Sequence, residues 1–155
     1  MSRNFYQKLN ITFLVFLFLF SAKAFALDGL KDAGAPLYPG FPRCAESRAY
    51  QQFQKRPMTE LSKLVYMCDR LFDSNVEVLF EDQYYSAKFA AGVSRIFVAA
   101  HYRQEKAEDW IKRWGSTSPS GKPVWVKLPD GSFKLAKDVL LAELKELNQL
   151  GGGKK

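Results

Sequence analysis

A chain of 155 residues, 47% of them hydrophobic, is long enough for one domain with its own core and too short for several. Its 23 lysines and arginines outnumber 16 acids, but the excess is scattered, with none of the dense basic clustering that nucleic-acid binding requires. One histidine and two cysteines restrict nucleophilic and metal chemistry to very few arrangements.

The first residues read as an export signal. Arg3 and Lys8 give a positive start, Ile11 to Phe20 is apolar apart from Thr12, and Ser21-Ala22-Lys23-Ala24-Phe25-Ala26 places small residues where a signal peptidase reads them. The apolar run is shorter than the roughly 20 residues of a spanning helix. Cleavage is expected after Ala26, and since Cys44 lies far downstream, no lipid anchor is expected. Residues 27–155 keep 20 basic residues against 16 acids, a net charge of +4, and the expected location is the periplasm or the exterior. An even cysteine count in an exported chain makes a Cys44–Cys68 disulfide the expected state, worth on the order of 3 kcal/mol on the chain-entropy argument. The alternative is two separate thiols, with Cys68 filling the core.

Residues 27–43 carry three glycines and three prolines in no regular period, and residues 44–55 predict a short helix with Tyr50 and Phe53 as apolar anchors, closed by Pro57. Residues 27–56 thus form an arm with a short helix, 57–150 the domain body, and 151–155 a flexible tail. In the body, Leu61, Leu64, Val65, Cys68 and Phe72 repeat at helical spacing after Thr59 as N-cap. Val76, Val78 and Phe80 then alternate as in a half-buried strand, and Glu81-Asp82-Gln83 turns the chain. Ser86 caps a second helix, on which Phe89, Val93, Ile96, Phe97 and Ala100 form one apolar stripe, the face such a helix turns to a core, with Arg95 off it.

His101, the single histidine, ends that helix with Glu105 four residues on. No second histidine or cysteine lies near enough in sequence to complete a metal set, so no metal or other cofactor is expected and His101 reads as a helix-terminal residue favoured by the dipole. Ala107, Trp110, Ile111 and Trp114 share the face of a third helix, with acids in its first turn, Lys112 and Arg113 in its last, and Gly115 as a left-handed stop. Two tryptophans beside basic residues suit a sugar or lipid platform, but their shared apolar face favours core. Val124, Val126 and Leu128 begin a hairpin around Pro129-Asp130-Gly131, and a last helix from about Ala136 to Leu147 packs through Val139, Leu140, Leu144 and Leu147. The order predicts an α+β fold: one small domain of about four helices on a small, mainly antiparallel sheet that includes the C-terminal hairpin.

The run Gly115-Ser-Thr-Ser-Pro-Ser-Gly121-Lys122-Pro123 resembles a phosphate loop at first sight. A Walker loop needs four residues between its glycines, a hydroxyl after the lysine, and a strand before and helix after it. Here five residues intervene, Pro123 takes the hydroxyl position, and the flanking elements are reversed. Ser118 and Ser120 lack a neighbouring base, G-x-S-x-G fails at Ser118, and any catalytic triad would have to use His101.

Residues 58–147 are similar to the YfeK-like family of small exported bacterial proteins. The likeness is carried by Ala107, Glu108, Trp110 and Ile111 and by Ser118, Ser120, Gly121, Pro123, Lys127 and Asp130-Gly131. The family's A-x-x-H-L-R-x-K stretch falls on Ala90 to Phe97, where only Ala90 and Arg95 match, and Val93 and Phe97 stand where His and Lys would be. The resemblance implies an exported α+β domain and carries no activity with it.

These readings favour a non-enzymatic binding or interaction module of the cell envelope. Arg95, Ser118, Ser120, Lys122 and Lys127 are the candidate ligand-binding residues, because guanidinium, ammonium and hydroxyl donors suit the carboxylates and phosphates of envelope glycans and lipids. The alternatives are an envelope-polymer hydrolase using Ser118 or Ser120 with His101, and a module in which the arm and hairpin dock to a protein partner.

Overall fold

The computed structural model describes residues 36–151; residues 1–26, where a signal segment is expected, residues 27–35 and the last four residues lie outside the described residues. A 3-10 turn at Cys44–Glu46 leads into five helices, α1 (Arg48–Phe53), α2 (Glu60–Phe72), α3 (Ala87–His101), α4 (Ala107–Trp114) and α5 (Ala136–Gly151). Four strands, β1 (Glu77–Phe80), β2 (Gln83–Ser86), β3 (Trp125–Lys127) and β4 (Phe133–Leu135), form one antiparallel sheet in the order β2-β1-β3-β4. This is the expected α+β architecture, with β3 and β4 as the hairpin around Pro129-Asp130-Gly131. Gly131 adopts φ +84°, the left-handed conformation that glycine reaches at least cost. No described helix is long and apolar enough to cross a membrane.

Local chemistry starts the helices where the side chains allow. Ser47, Thr59 and Ser86 cap α1, α2 and α3 by accepting from the amides of Tyr50, Ser62 and Phe89. α4 has no side-chain cap of its own, because Lys106 stands at the cap position. Glu60 on α2 replaces it, accepting from the Ala107 amide at 2.8 Å and from Lys63 at 2.6 Å.

α2 is the central helix, contacted by α1, α3, α4 and α5. It therefore buries more than the predicted stripe: Leu64 and Cys68 are inside, but so are Tyr66, Met67, Asp69 and Arg70, while Leu61 and Phe72 are exposed. The helical core joins Phe53, Leu64, Tyr66, Met67, Val98, Trp110, Ile111, Leu144 and Leu147. A second cluster, with Phe41, Val76, Ala87, Val126, Leu128 and Val139, lies between the sheet and the start of α5. Phe41 brings the end of the Pro/Gly-rich arm into that cluster, and the Asn75 amide donates to the Gly40 carbonyl at 3.0 Å.

The side of α2 facing α5 carries a buried charge pair. Arg70 donates from Nε to Glu143 Oε2 at 2.8 Å and from Nη2 to Glu143 Oε1 at 2.7 Å, and both side chains are 2% exposed. Nη2 also donates to the Pro42 carbonyl at 2.8 Å, and the guanidinium lies 5.7 Å from the Phe41 ring centre. The Tyr66 hydroxyl donates to Glu143 Oε2 at 3.4 Å and shares a 2.8 Å hydrogen bond with the Cys44 thiol.

Three expectations are corrected. Cys44 and Cys68 are free and buried, not bridged. Tyr66 and Cys68 are two residues apart on one helix, about 200° around its axis, so the side of α2 that meets Cys44 through Tyr66 is not the side that carries Cys68. Gly115 ends α4 with φ −86° and ψ 0°, right-handed rather than left-handed. Glycine suits that position for space, because a Cβ would come within 2.8 Å of the Ile111 carbonyl oxygen. Finally, most of the α3 stripe points outward: Phe89, Val93 and Ile96 are 57%, 51% and 73% exposed, Phe97 packs partly buried against the helical core, and the helix buries Ala87, Ala91 and Val98. The small alanines let α3 lie close against α2, and the bulky face is left to the outside.

Two predictions follow from the buried groups. Glu143→Ala strands a charged Arg70 and should cost about 3–5 kcal/mol, while Arg70→Met combined with Glu143→Leu should cost far less; urea denaturation of the three proteins measures both, and equal losses would show the pair to be energetically idle. Burial pushes the Cys44 and Cys68 thiols up to about 11, so both stay protonated at neutral pH. Iodoacetamide at pH 7.5 should add no mass to the native protein and two adducts after denaturation without reductant.

Candidate functional site

Three of the five candidate ligand-binding residues, Ser118, Ser120 and Lys122, come together around one hairpin tip, while Lys127 stands at the other end of β1 and Arg95 lies on α3. β1 and β2 are joined by Glu81 and Asp82, with φ of +50° and +63°. Tight antiparallel hairpins want two left-handed residues there, and Asn-Gly or Gly-Gly would adopt them with less strain than this acidic pair. The loop from α4 to β3 holds the tip from the side. Ser120 donates from its amide and from Oγ to Glu81, at 3.2 and 2.6 Å, and Lys122 forms an ion pair with Asp82.

The loop is itself a closed turn. The Gly121 amide donates to the Ser118 carbonyl at 2.9 Å, the Ser118 amide to the Lys122 carbonyl at 2.8 Å, and Gly121 takes φ +84° after Pro119-Ser120. A turn followed by a left-handed glycine is a common way to close a three-residue connection. Ser118 is buried, and its hydroxyl shares a 3.1 Å hydrogen bond with Ser120. The hydrogen bonds from Ser118 and Ser120 hold the Glu81 carboxyl below the usual carboxylate range, and the bond to Asp82 raises the Lys122 ammonium. Lys127 sits directly opposite Glu77 across β3 and β1 and donates to it at 2.9 Å, with its ammonium 5.2 Å from the Tyr84 ring centre.

These donors are thus spent on the protein's own acids. The hydroxyls of Ser118 and Ser120 meet each other and Glu81, whereas His101 donates from Nδ1 to the Phe97 carbonyl at 3.0 Å and stacks on the Phe97 ring at 4.0 Å. Glu105 pairs with Arg113. Arg95 lies on α3 and pairs with Asp69, which also faces Arg56 at 2.8 Å. It borders an open groove of about 290 Å³ with Arg48, Gln52 and Cys68.

Among the described residues, Cys44, Glu143 and Glu146 offer atoms within 4.8 Å of one another, close enough to hold a metal ion. Their chemistry does not suit one: both Glu143 oxygens are engaged by Arg70, and burial keeps the Cys44 thiol protonated.

The feature that the candidate residues missed is apolar. On the outside of α3, Phe89, Val93 and Ile96 form a continuous ridge. Tyr85 stacks on Phe89 at 5.3 Å at one end, and Phe97, His101 and the exposed Trp114 cluster at the other, with Phe97 edge-on to Trp114 at 5.3 Å. Its signal in the sequence is that α3 is apolar nearly all round, with Ala87, Ala91 and Val98 opposite Phe89, Val93 and Ile96. A helix of that kind is buried on both sides or offers one of them to a partner. No protein-family model, curated protein or solved structure matches the chain.

The contact between loop and tip has a local readout. Glu81→Ala should accelerate hydrogen exchange at the Ser120 amide while leaving the β1–β3 amides protected; unchanged exchange at Ser120 would mean that the turn stands without the tip.

Proposed function

We propose that this protein is an exported, non-enzymatic interaction module of the bacterial cell envelope, and that it receives a protein partner on the outer face of α3. The observation that carries the reading is the exposure of Phe89, Val93 and Ile96 on one helix face, flanked by further aromatic rings. Contiguous bulky apolar surface of this kind costs solubility and marks sites of interaction. An apolar ridge suits the side chains of a protein better than a glycan, which presents hydroxyls and needs partners for them.

Export is supported by the basic start, apolar run and small-residue cleavage pattern of residues 1–26. The absence of catalysis is supported by the site chemistry, since the two loop hydroxyls have a carboxylate and each other as partners, while the imidazole is engaged with Phe97. The polar candidates then act in the fold: Ser118, Ser120 and Lys122 set the hairpin tip, Lys127 ties β3 to β1, and Arg95 braces α3 against α2.

A photoreactive residue placed at Ile96 in living cells should give one discrete protein adduct, and the same residue at exposed Lys134 on β4 should give none. Absence of any adduct from positions 89, 93 and 96 alike would remove the α3 face as the working surface.

A further inference from the structure

We infer that the partner on the α3 face is a second copy of this chain, paired antiparallel about a two-fold axis that crosses the seam midway between Val93 and Ile96. The inference rests on the docking role proposed for that face and names its occupant. The outward residues Phe89, Val93, Ile96 and Ala100 follow one another at intervals of four, three and four, the spacing of a helix seam that meets another helix. Across an antiparallel two-fold, seam residues whose numbers add to 189 stand opposite each other, and residues flanking the seam meet two positions off that register, their numbers adding to 191 on one side and 187 on the other. Phe89 then meets Ala100 of the second copy, and Val93 meets Ile96, so each large side chain finds a smaller one or a close equal.

The flanks match in the same way. On one side Gly92 faces Ala99, and nothing lies within 4 Å of the place where a Gly92 Cβ would stand, so the backbones can approach closely. On the other side Phe97 faces the half-buried Ala90. Large-against-small pairing on both the seam and its flank is what lets two identical surfaces interlock. Helix α3 has 15 residues and is about 22 Å long. The aromatic groups at its two ends, Tyr85 and Trp114, lengthen the patch, and a two-fold brings the Tyr85 end of one copy to the Trp114 end of the other.

Charge argues for the same occupant. Lys88 and Arg95 are the only lysine or arginine on α3, and both lie to one side, away from the seam and the positions flanking it. Arg95 is engaged by Asp69, and Lys88 lies over the Phe72 ring. Along α3 a self-pair thus brings no like charges together, and antiparallel helices set their dipoles favourably. An acidic helix would find no cation beside the seam, and an anionic membrane would find cations along one edge only.

Sedimentation of the purified protein between about 1 and 100 µM should show a dimer, and Ile96→Glu should give a monomer with unchanged circular dichroism and thermal midpoint. Register is read by mixing Val93→Cys chains with Ile96→Cys chains under mild oxidation, where the native thiols, pushed up to about 11, do not compete. Disulfides should link one variant to the other. Links within each variant alone would overturn the antiparallel pairing, and this readout stands even where Ile96→Glu fails to fold.

A wild-type protein that stays monomeric would overturn the dimer, and so would a monomer that floats with phosphatidylglycerol vesicles. The photoreactive residue at Ile96 separates the two levels of the argument. An adduct of twice the chain mass supports both, an adduct with a different protein keeps the docking role and sinks the dimer, and no adduct sinks both.

Discussion

The Arg70–Glu143 pair sets the frame of the domain. Arg70 spends its Nε and Nη2 donors on α5 and on the Pro42 carbonyl, so one side chain of the central helix fixes both the last helix and the entering chain. β4 runs directly into α5, with Leu135 followed by Ala136, so holding α5 also holds the sheet. The Ala136 amide donates to the Val124 carbonyl at 2.9 Å and draws the start of the β3 strand to the same point. β1 pairs with β3, and its hairpin tip carries the two acids that the Ser118–Lys122 turn grips. An ion pair in the helical core thereby reaches, through covalent and hydrogen-bonded neighbours, to a loop at the far edge of the sheet.

That frame leaves α3 in an unusual position. Its inner face buries Ala87, Ala91 and Val98, and the two alanines give close packing but bury little area each. Phe89, Val93 and Ile96, with far more apolar surface to lose from water, are outside. A fold that sought only its own stability would have the helix rotated by half a turn. The observed orientation is held by Ser86 capping, by the β2 strand that feeds the helix, and by the Arg95–Asp69 pair, which fits only with Arg95 on the α2 flank. The free energy left unclaimed on the outer face is available for association.

Much of this was legible from residues alone, because it depends on local rules. Ser86 and Thr59 announced their caps, Pro129-Asp130-Gly131 announced the hairpin, and the alternation around Val126 marked the buried face of β3. What was not legible depends on long-range pairing. β2 was hidden because Tyr84-Tyr85 follows an acidic turn with no glycine, and its left-handed residues are supported by a loop 39 residues further on. The stripe on α3 was recognisable as a stripe, but periodicity gives the angle between residues and not the direction of the core. Val93 illustrates the limit: its spacing is shared by buried and exposed apolar residues, and only the packing of Ala91 against α2 decides which it is. The cysteines failed for a related reason, since an even count says nothing of which side of a helix each thiol occupies.

The Gly-Lys loop shows how the same residues can suggest a ligand and serve the fold. A phosphate loop keeps its amides and lysine unpaired until an anion arrives, and a following helix adds its dipole. Here the donors are already met by carboxylates that the chain supplies, Glu81 for the Ser120 amide and hydroxyl and Asp82 for Lys122, and a strand follows. The acids play the part that an external anion would play, and they do so at the two backbone positions least suited to side chains. An outside phosphate would have to displace a carboxylate held at contact distance, and the released tip would keep two left-handed residues without their support. The loop is therefore better understood as an internal ligand site, filled by the β1–β2 turn, whose occupancy keeps the short edge strand β2 in register at the start of α3.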